Sequence, residues 1–184
     1  MDRLEWITQR VSSPRLSGDI PDEIMSGLEA AAARAPDHAQ LKPFRCLVIS
    51  GEGLTALGDL FVSAQTRREP ESTQADLDKI RRKPLRAPLI VVGIARLTEH
   101  VKVPEIEQLL SAGIALQNIS QAIFALGYGA MWRTGAMAYD EIVKSGLGLL
   151  ENEQIVGFLY LGEIEGRLKP VRPVVPGELM QRWP

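Results

Sequence analysis

The 184-residue chain is 45 % apolar, sets 21 Lys and Arg against 23 Asp and Glu for a formal charge of −2, and contains one cysteine. Its size and apolar content suit a single domain over residues 1–184 with a core of its own. The near-neutral balance excludes a broad cationic face for nucleic acid, and the lone Cys46 excludes an internal disulfide. The amino terminus, MDRLEWITQR, has neither an apolar h-region nor a small-residue cleavage site, so the reducing cytoplasm is the expected location.

Asp2 to Gln9 reads as a short helix with Leu4 and Ile7 on one side, running into Arg10-Val11-Ser12-Ser13-Pro14-Arg15. Two arginines bracket two hydroxyls there, a set able to hold a phosphate through guanidinium forks and a Ser hydroxyl. Arg and Ser also abound at ordinary helix ends, and that plainer reading stays open. Pro21 opens a helix with Asp22 and Glu23 in its first turn, continuing to Arg34. Ala35, biased out of the helical region by Pro36, starts the turn Ala35-Pro36-Asp37-His38, which sets Arg34 and His38 near one helix terminus.

Phe44 to Ser50 is a strand by its apolar, β-branched run, and Cys46 within it is a buried strand residue rather than a nucleophile. Gly51-Glu52-Gly53-Leu54-Thr55-Ala56 fits a dinucleotide fingerprint, but no second strand with a terminal acid follows at the required distance, so the fit is rejected. Gln65 to Thr73, charged and poor in apolar residues, reads as a mobile loop, either lid-like or disordered. Lys79 to Arg86, KIRRKPLR, follows Glu69, Glu71, Asp76 and Asp78 and reads as a solvated charged helix and loop. Pro88 to Ala95 is a strand buried on both faces.

Glu105 to Gly135 organises the remainder. No charge occurs between Glu107 and Arg133, and apolar residues from Leu109 to Leu126 cover most of a helix circumference. Ser111, Gln117, Asn118, Ser120 and Gln121 interrupt it too often for a membrane span, so the helix is expected to be buried partly in its own domain and partly against a second subunit, ending at Gly127 and Gly129. A short strand, Ala130 to Arg133, a helix from Tyr139 to Ser145 and a core strand from Glu153 to Gly162 follow. The tail, residues 164–184, carries Pro170, Pro173, Pro176 and Pro184 among Val171, Val174, Val175, Leu179 and Trp183, a pattern expected of an extended arm lying on another subunit.

Taken in order, Arg10-x-Ser12, the Ala35-Pro36-Asp37-His38 turn before Lys42-Pro43-Phe44, Arg86-Ala87-Pro88-Leu89-Ile90, the uncharged helix and Gly127-Tyr128-Gly129-Ala130-Met131-Trp132-Arg133 resemble the FMN-dependent nitroreductase family, and most closely its small YdjA-type branch. The resemblance implies an α+β fold with a mainly antiparallel sheet flanked by helices, forming an obligate homodimer with FMN at the subunit interface. It implies Arg10, Val11 and Ser12 at the FMN phosphate and ribityl chain. Arg34 and His38 would contact the cofactor from the other subunit, and Trp132, Arg133 and Thr134 would lie along the flavin. Ala122, Ile123, Phe124, Ala125, Leu126 and Gly127 match a stretch assigned to NAD(P). Many relatives carry a second basic residue where this chain has Val11, and Pro14 also departs from the pattern. The tail is poorly matched, although Arg172 could supply phosphate charge.

On this resemblance the flavin carries the chemistry, with NADH or NADPH as donor, a nitroaromatic, quinone or similar small molecule as acceptor, and neither a protein nucleophile nor a metal. Another reading of the same fold is a non-catalytic FMN-binding redox sensor or flavin store, distinguished by bound FMN that NAD(P)H cannot reduce.

Overall fold

The computed structural model describes residues 4–183, so Asp2 and Pro184 lie outside the described residues. Strand β3 (Leu89–Arg96) is buried over every residue but its last, as its unbroken apolar run requires. It pairs antiparallel with β2 (Phe44–Ser50) on one side and β5 (Glu153–Ile164) on the other. β4 (Gly129–Arg133) pairs antiparallel with β5, and the two-residue β1 (Leu16–Ser17), which the sequence did not suggest, pairs with β5 at Glu163 and Ile164. A register shift at Gly93/Ile94 bends the β3–β5 ladder. The architecture is an α+β antiparallel sheet with helices on both faces.

Alternation along β3 and β5 sends Ile90, Val92, Phe158 and Tyr160 to one face and Leu89, Val91, Leu159 and Leu161 to the other. The first face packs against α3 (Glu52–Arg68) through Leu54, Leu57, Phe61 and Ala64, with α6 (Glu141–Gly146) adding Val143. The second packs against α2 (Met25–Ala32) and α5 (Glu105–Ala125). At the far end of the sheet Glu153, 1 % exposed, receives both Arg45 Nε and Nη2 at 2.7 Å and Arg96 Nε at 3.4 Å, pinning β2, β3 and β5 together.

Several expectations need correction. Gln65 to Thr73 is not one mobile loop: α3 runs to Arg68 because Phe61, Ala64 and Gln65 continue its buried face while Thr66, Arg67 and Arg68 occupy the solvent side. Helix α4 (Gln74–Arg81) then starts on a Thr73 cap, whose hydroxyl accepts from Asp76 N. The Pro21 helix begins as a 3-10 turn, Asp22–Ile24, and α2 ends at Ala32 rather than Arg34. Tyr139 closes a 3-10 turn, and α6 starts two residues later, where Asp140 accepts from Ile142 N. Gly127, at φ 89°, takes the left-handed turn after α5, whereas Gly129 belongs to β4. The described part of the first helix is only α1 (Glu5–Thr8), with Leu4 and Ile7 both largely exposed.

Helix α5 spans 21 residues beginning directly after Pro104. Ala112, Ala115, Leu116, Ile119 and Ile123 face the sheet, while Ile106, Leu110 and Ile114 form a stripe open to solvent in the single chain. No helix among the described residues is long and apolar enough to cross a membrane. Among the described residues after Ile164 there is no regular secondary structure, and Val174, Val175, Leu179, Met180 and Trp183 are exposed.

Candidate functional site

A cleft of about 520 Å3 opens at the end of β4 on the α3 face of the sheet. Its floor is Phe61, Phe158 and Tyr160, and one wall is the segment from Met131 to Met137. The α3–α4 hairpin forms the opposite wall. Gly58 lets the two helices close up, since any side chain there would collide with the Arg81 carbonyl. That contact folds the chain after α4 back over the sheet and brings Lys83 and Arg86 to the cleft beside Arg68. The basic run read as solvated thus divides: Arg81 pairs on the surface with Asp59 and Asp78, while Lys83 and Arg86 line the cavity.

Arg133 completes the charged lining, its guanidinium 5.6 Å from the Tyr160 ring centroid. Its Nε is buried and has no hydrogen-bond partner. Burial, reinforced by repulsion from Arg86 and Arg68, lowers the pKa of Lys83. Burial raises that of Tyr160 against the opposing influence of Arg133 and Arg86. Among the described residues, the only acid paired with any of the four cations is Glu69, 3.9 Å from Arg68 and itself mostly exposed. A concave site with unspent positive charge, an aromatic floor and an orphaned buried donor suits a flat, electron-accepting ring that becomes anionic on reduction, so the residues present fit a flavin.

The expected flavin segment therefore lies on a cavity, but its side chains diverge. Arg133 turns toward the cleft, whereas the indole of Trp132 turns to the α5 face, where Nε1 donates to the Val156 carbonyl at 3.3 Å. Gly157 leaves the space for that indole. Thr134 borders the cleft mouth and is exposed.

Arg10, Val11 and Ser12 run beside the opposite end of β4, tied there by the hydrogen bond from Ser13 N to the Ala130 carbonyl. Ser13 is 1 % exposed, and its Oγ has no partner. Arg10 does not line the cleft. Arg34 and His38 belong to the α2–α5 face, with Asn118 Nδ2 donating to Ala31 O near Arg34 and His38 Nδ1 2.7 Å from Glu107 Oε2. Within one chain they do not meet the β4 site. The stretch Ala122 to Gly127 is the end of α5 and the turn into β4: Ile123 is fully buried, Ala122 and Phe124 are half-buried, and only Ala125, Leu126 and Gly127 are exposed.

Sequence reasoning missed Arg68, Lys83 and Arg86. A usable signal was present, since Lys83-Pro84-Leu85-Arg86 sits immediately before the most buried strand and so had to lie at a sheet end. Cys46 is half-buried on β2, where burial pushes its pKa up to about 11, which leaves it a protonated packing residue. The rejected glycine fingerprint stays rejected, because β2 and β3 are antiparallel neighbours and make no βαβ unit. Among the described residues no three His, Cys, Asp or Glu side chains cluster as a metal site would require.

The sequence profile of the nitroreductase family matches residues 16–163. Over 163 residues, 88 % of each chain, the sequence is 39 % identical to YdjA of Escherichia coli (strain K12), which bears the provisional name of an NAD(P)H nitroreductase. Among solved structures, a nitroreductase-like family protein from Bacillus cereus superposes with a TM-score of 0.84 at 21 % identity, covering 100 % of this chain and 96 % of that one. A nitroreductase with bound FMN from Bacteroides fragilis gives 0.77 at 20 % identity with both chains covered in full.

Proposed function

The chain belongs to the nitroreductase family, and from that premise we propose that it is an FMN-dependent oxidoreductase that takes electrons from NADH or NADPH and passes them to a small molecule such as a nitroaromatic or quinone. The observation carrying the reading is the β4 cleft, where the strand segment matched to the family's flavin segment borders a cavity with an orphaned Arg133 donor and Lys83 alongside. Bound there, FMN would supply the two-electron chemistry.

The chain's own part is to hold and bias that group. Lys83 and Arg133 set fixed positive charge against the ring, which favours a reduced, anionic ring over a neutral one. Phe61, Phe158 and Tyr160 keep water from the buried side. Arg10, Val11 and Ser12, at the other end of β4, would take the phosphate and ribityl chain, with Arg172 of the tail a further source of charge. Arg34 and His38 could reach the cofactor only from a second subunit, which makes the functional unit a homodimer. Two unpartnered apolar surfaces support this: the Ile106, Leu110 and Ile114 stripe, and the tail carrying Val174, Leu179 and Trp183. In this arrangement residues 164–184 form an arm on the partner. Ala125, Leu126 and Gly127 are the part of the expected NAD(P) stretch open to a donor.

The test is anaerobic reduction of the purified flavoprotein. NADH or NADPH should bleach the visible flavin band, and a nitroaromatic should restore it. Bound FMN that neither donor bleaches would make the protein a flavin carrier or sensor instead.

A further inference from the structure

The β4 cleft holds more positive charge than a flavin ring needs. Among the described residues, four cations line it and no carboxylate does. Reducing the ring adds one negative charge, which Lys83 and Arg133 can stabilise, and the cofactor phosphate is assigned to Arg10 at the other end of β4. Arg68 and Arg86 then remain at the rim, Arg68 at the end of α3 and Arg86 in the turn after α4, rather than on the sheet. Arg68 ends α3, where the helix dipole favours a cation. No such local reason accounts for Arg86, which is exposed in the Pro84–Arg86 turn and has no acid partner among the described residues. Both stand near enough to Lys83 to repel its charge, an effect second to its burial.

We propose that Arg68 and Arg86 recognise the negatively charged substituent, a carboxylate in the first instance, of an aromatic electron acceptor that lies over the cofactor ring. The inference rests on the flavin reading for what lies beneath the acceptor, but the charge cluster stands without it. A guanidinium pair at a cleft mouth can fork onto a carboxylate while the aromatic body stays over the ring. With a nitro group as the reducible centre, each two-electron turnover converts ArNO2, NAD(P)H and one proton to ArNO, NAD(P)+ and water.

The experiment compares 4-nitrobenzoate with its neutral isostere 4-nitrobenzamide as acceptors for the FMN-loaded protein. The benzoate should have the higher kcat/KM, and its advantage should shrink with added salt. In Arg86→Gln and Arg68→Gln the benzoate-to-benzamide ratio should fall by about tenfold, the size of one lost charge-assisted contact. Arg86→Lys should restore part of it, and Arg68→Glu with Arg86→Glu should invert the preference. Calorimetric titration of benzoate into FMN-loaded and FMN-free protein gives a readout independent of turnover. Benzoate binding that these variants abolish supports the cation site even if no acceptor is reduced, whereas failure to bind or reduce FMN strikes the functional reading separately. Equal losses for both acceptors, loss of FMN affinity in the glutamine variants, or an effect confined to NADPH over NADH would each overturn the proposal.

Discussion

Glu153→Gln tests how the sheet is pinned. Glu153 is 1 % exposed and carries the bidentate Arg45 contact, a longer one from Arg96 and the Leu150 N–H at 3.0 Å. The Arg45 hydrogen bond chiefly, against the opposing effect of burial, lowers its pKa from 4.5 to about 2. At about 1.36 kcal/mol for each tenfold change in proton affinity, that is about 3 kcal/mol of stability at neutral pH. Because the folded-state pKa is depressed, this stability is present in full above pH 4.5 and disappears as the pH falls toward 2. About 1.4 kcal/mol of it is gone by pH 3.5. The two arginines left behind keep contact with solvent, with 26 % and 46 % side-chain exposure, so their own penalty in the variant is small. At pH 7 the variant should melt roughly 6 to 12 °C below the parent, measured at equal protein concentration by calorimetry. The gap should narrow measurably at pH 3.5. FMN affinity should stay at the parental value, since Glu153 opens β5 at the end away from Tyr160. A gap that is constant from pH 7 to pH 3.5 would refute the reasoning.

Further outcomes follow from the site. Arg10→Ala should weaken FMN by roughly ten- to a hundredfold, the cost of a charge-assisted hydrogen bond of about 1.5 to 3 kcal/mol, and an unchanged dissociation constant removes Arg10 from the phosphate. Ending the chain after Gly166, which spares the β1–β5 pairing, should weaken the dimer in sedimentation equilibrium; an undiminished dimer would contradict the role given to the arm. Arg34→Ala should lower the flavin reduction potential by tens of millivolts, about 30 mV for each 1.4 kcal/mol. His38→Ala should lower it less, because Glu107 already offsets any charge on His38. Potentiometric titration separates the two, and parental potentials in both would show that neither faces the ring.

Much of this architecture was legible in the chain itself. The strand from Phe44 to Ser50 and the doubly buried strand ending near Ala95 announce themselves by apolar runs, and the start of α5 by Pro104. What misled was charge. In Gln65 to Thr73 polar composition was equated with a loop, yet α3 continues to Arg68 on the buried side chains of Phe61, Ala64 and Gln65; Lys79 to Arg86 is largely exposed, as read, but the Gly58 contact sets Lys83 and Arg86 at the edge of a cavity. Those are tertiary facts with no local periodicity. The β4 segment was found by family likeness, and that likeness did not foretell the divergence of Trp132 and Arg133, which simple strand alternation could have given. Arg34 and His38 sit on the other sheet face, a separation that a one-dimensional reading cannot display.

The central claim is that the cleft beside β4 holds FMN. The most direct measurement is a titration of FMN into flavin-free protein, following flavin fluorescence and melting temperature, for the parent and for Arg133→Gln. The account predicts saturation at one FMN per chain with fluorescence altered on binding, a melting temperature that climbs with FMN, and a dissociation constant about tenfold weaker in the variant, whose orphaned donor is gone. FMN that leaves fluorescence and melting temperature untouched, or that binds the variant as tightly as the parent, would contradict it.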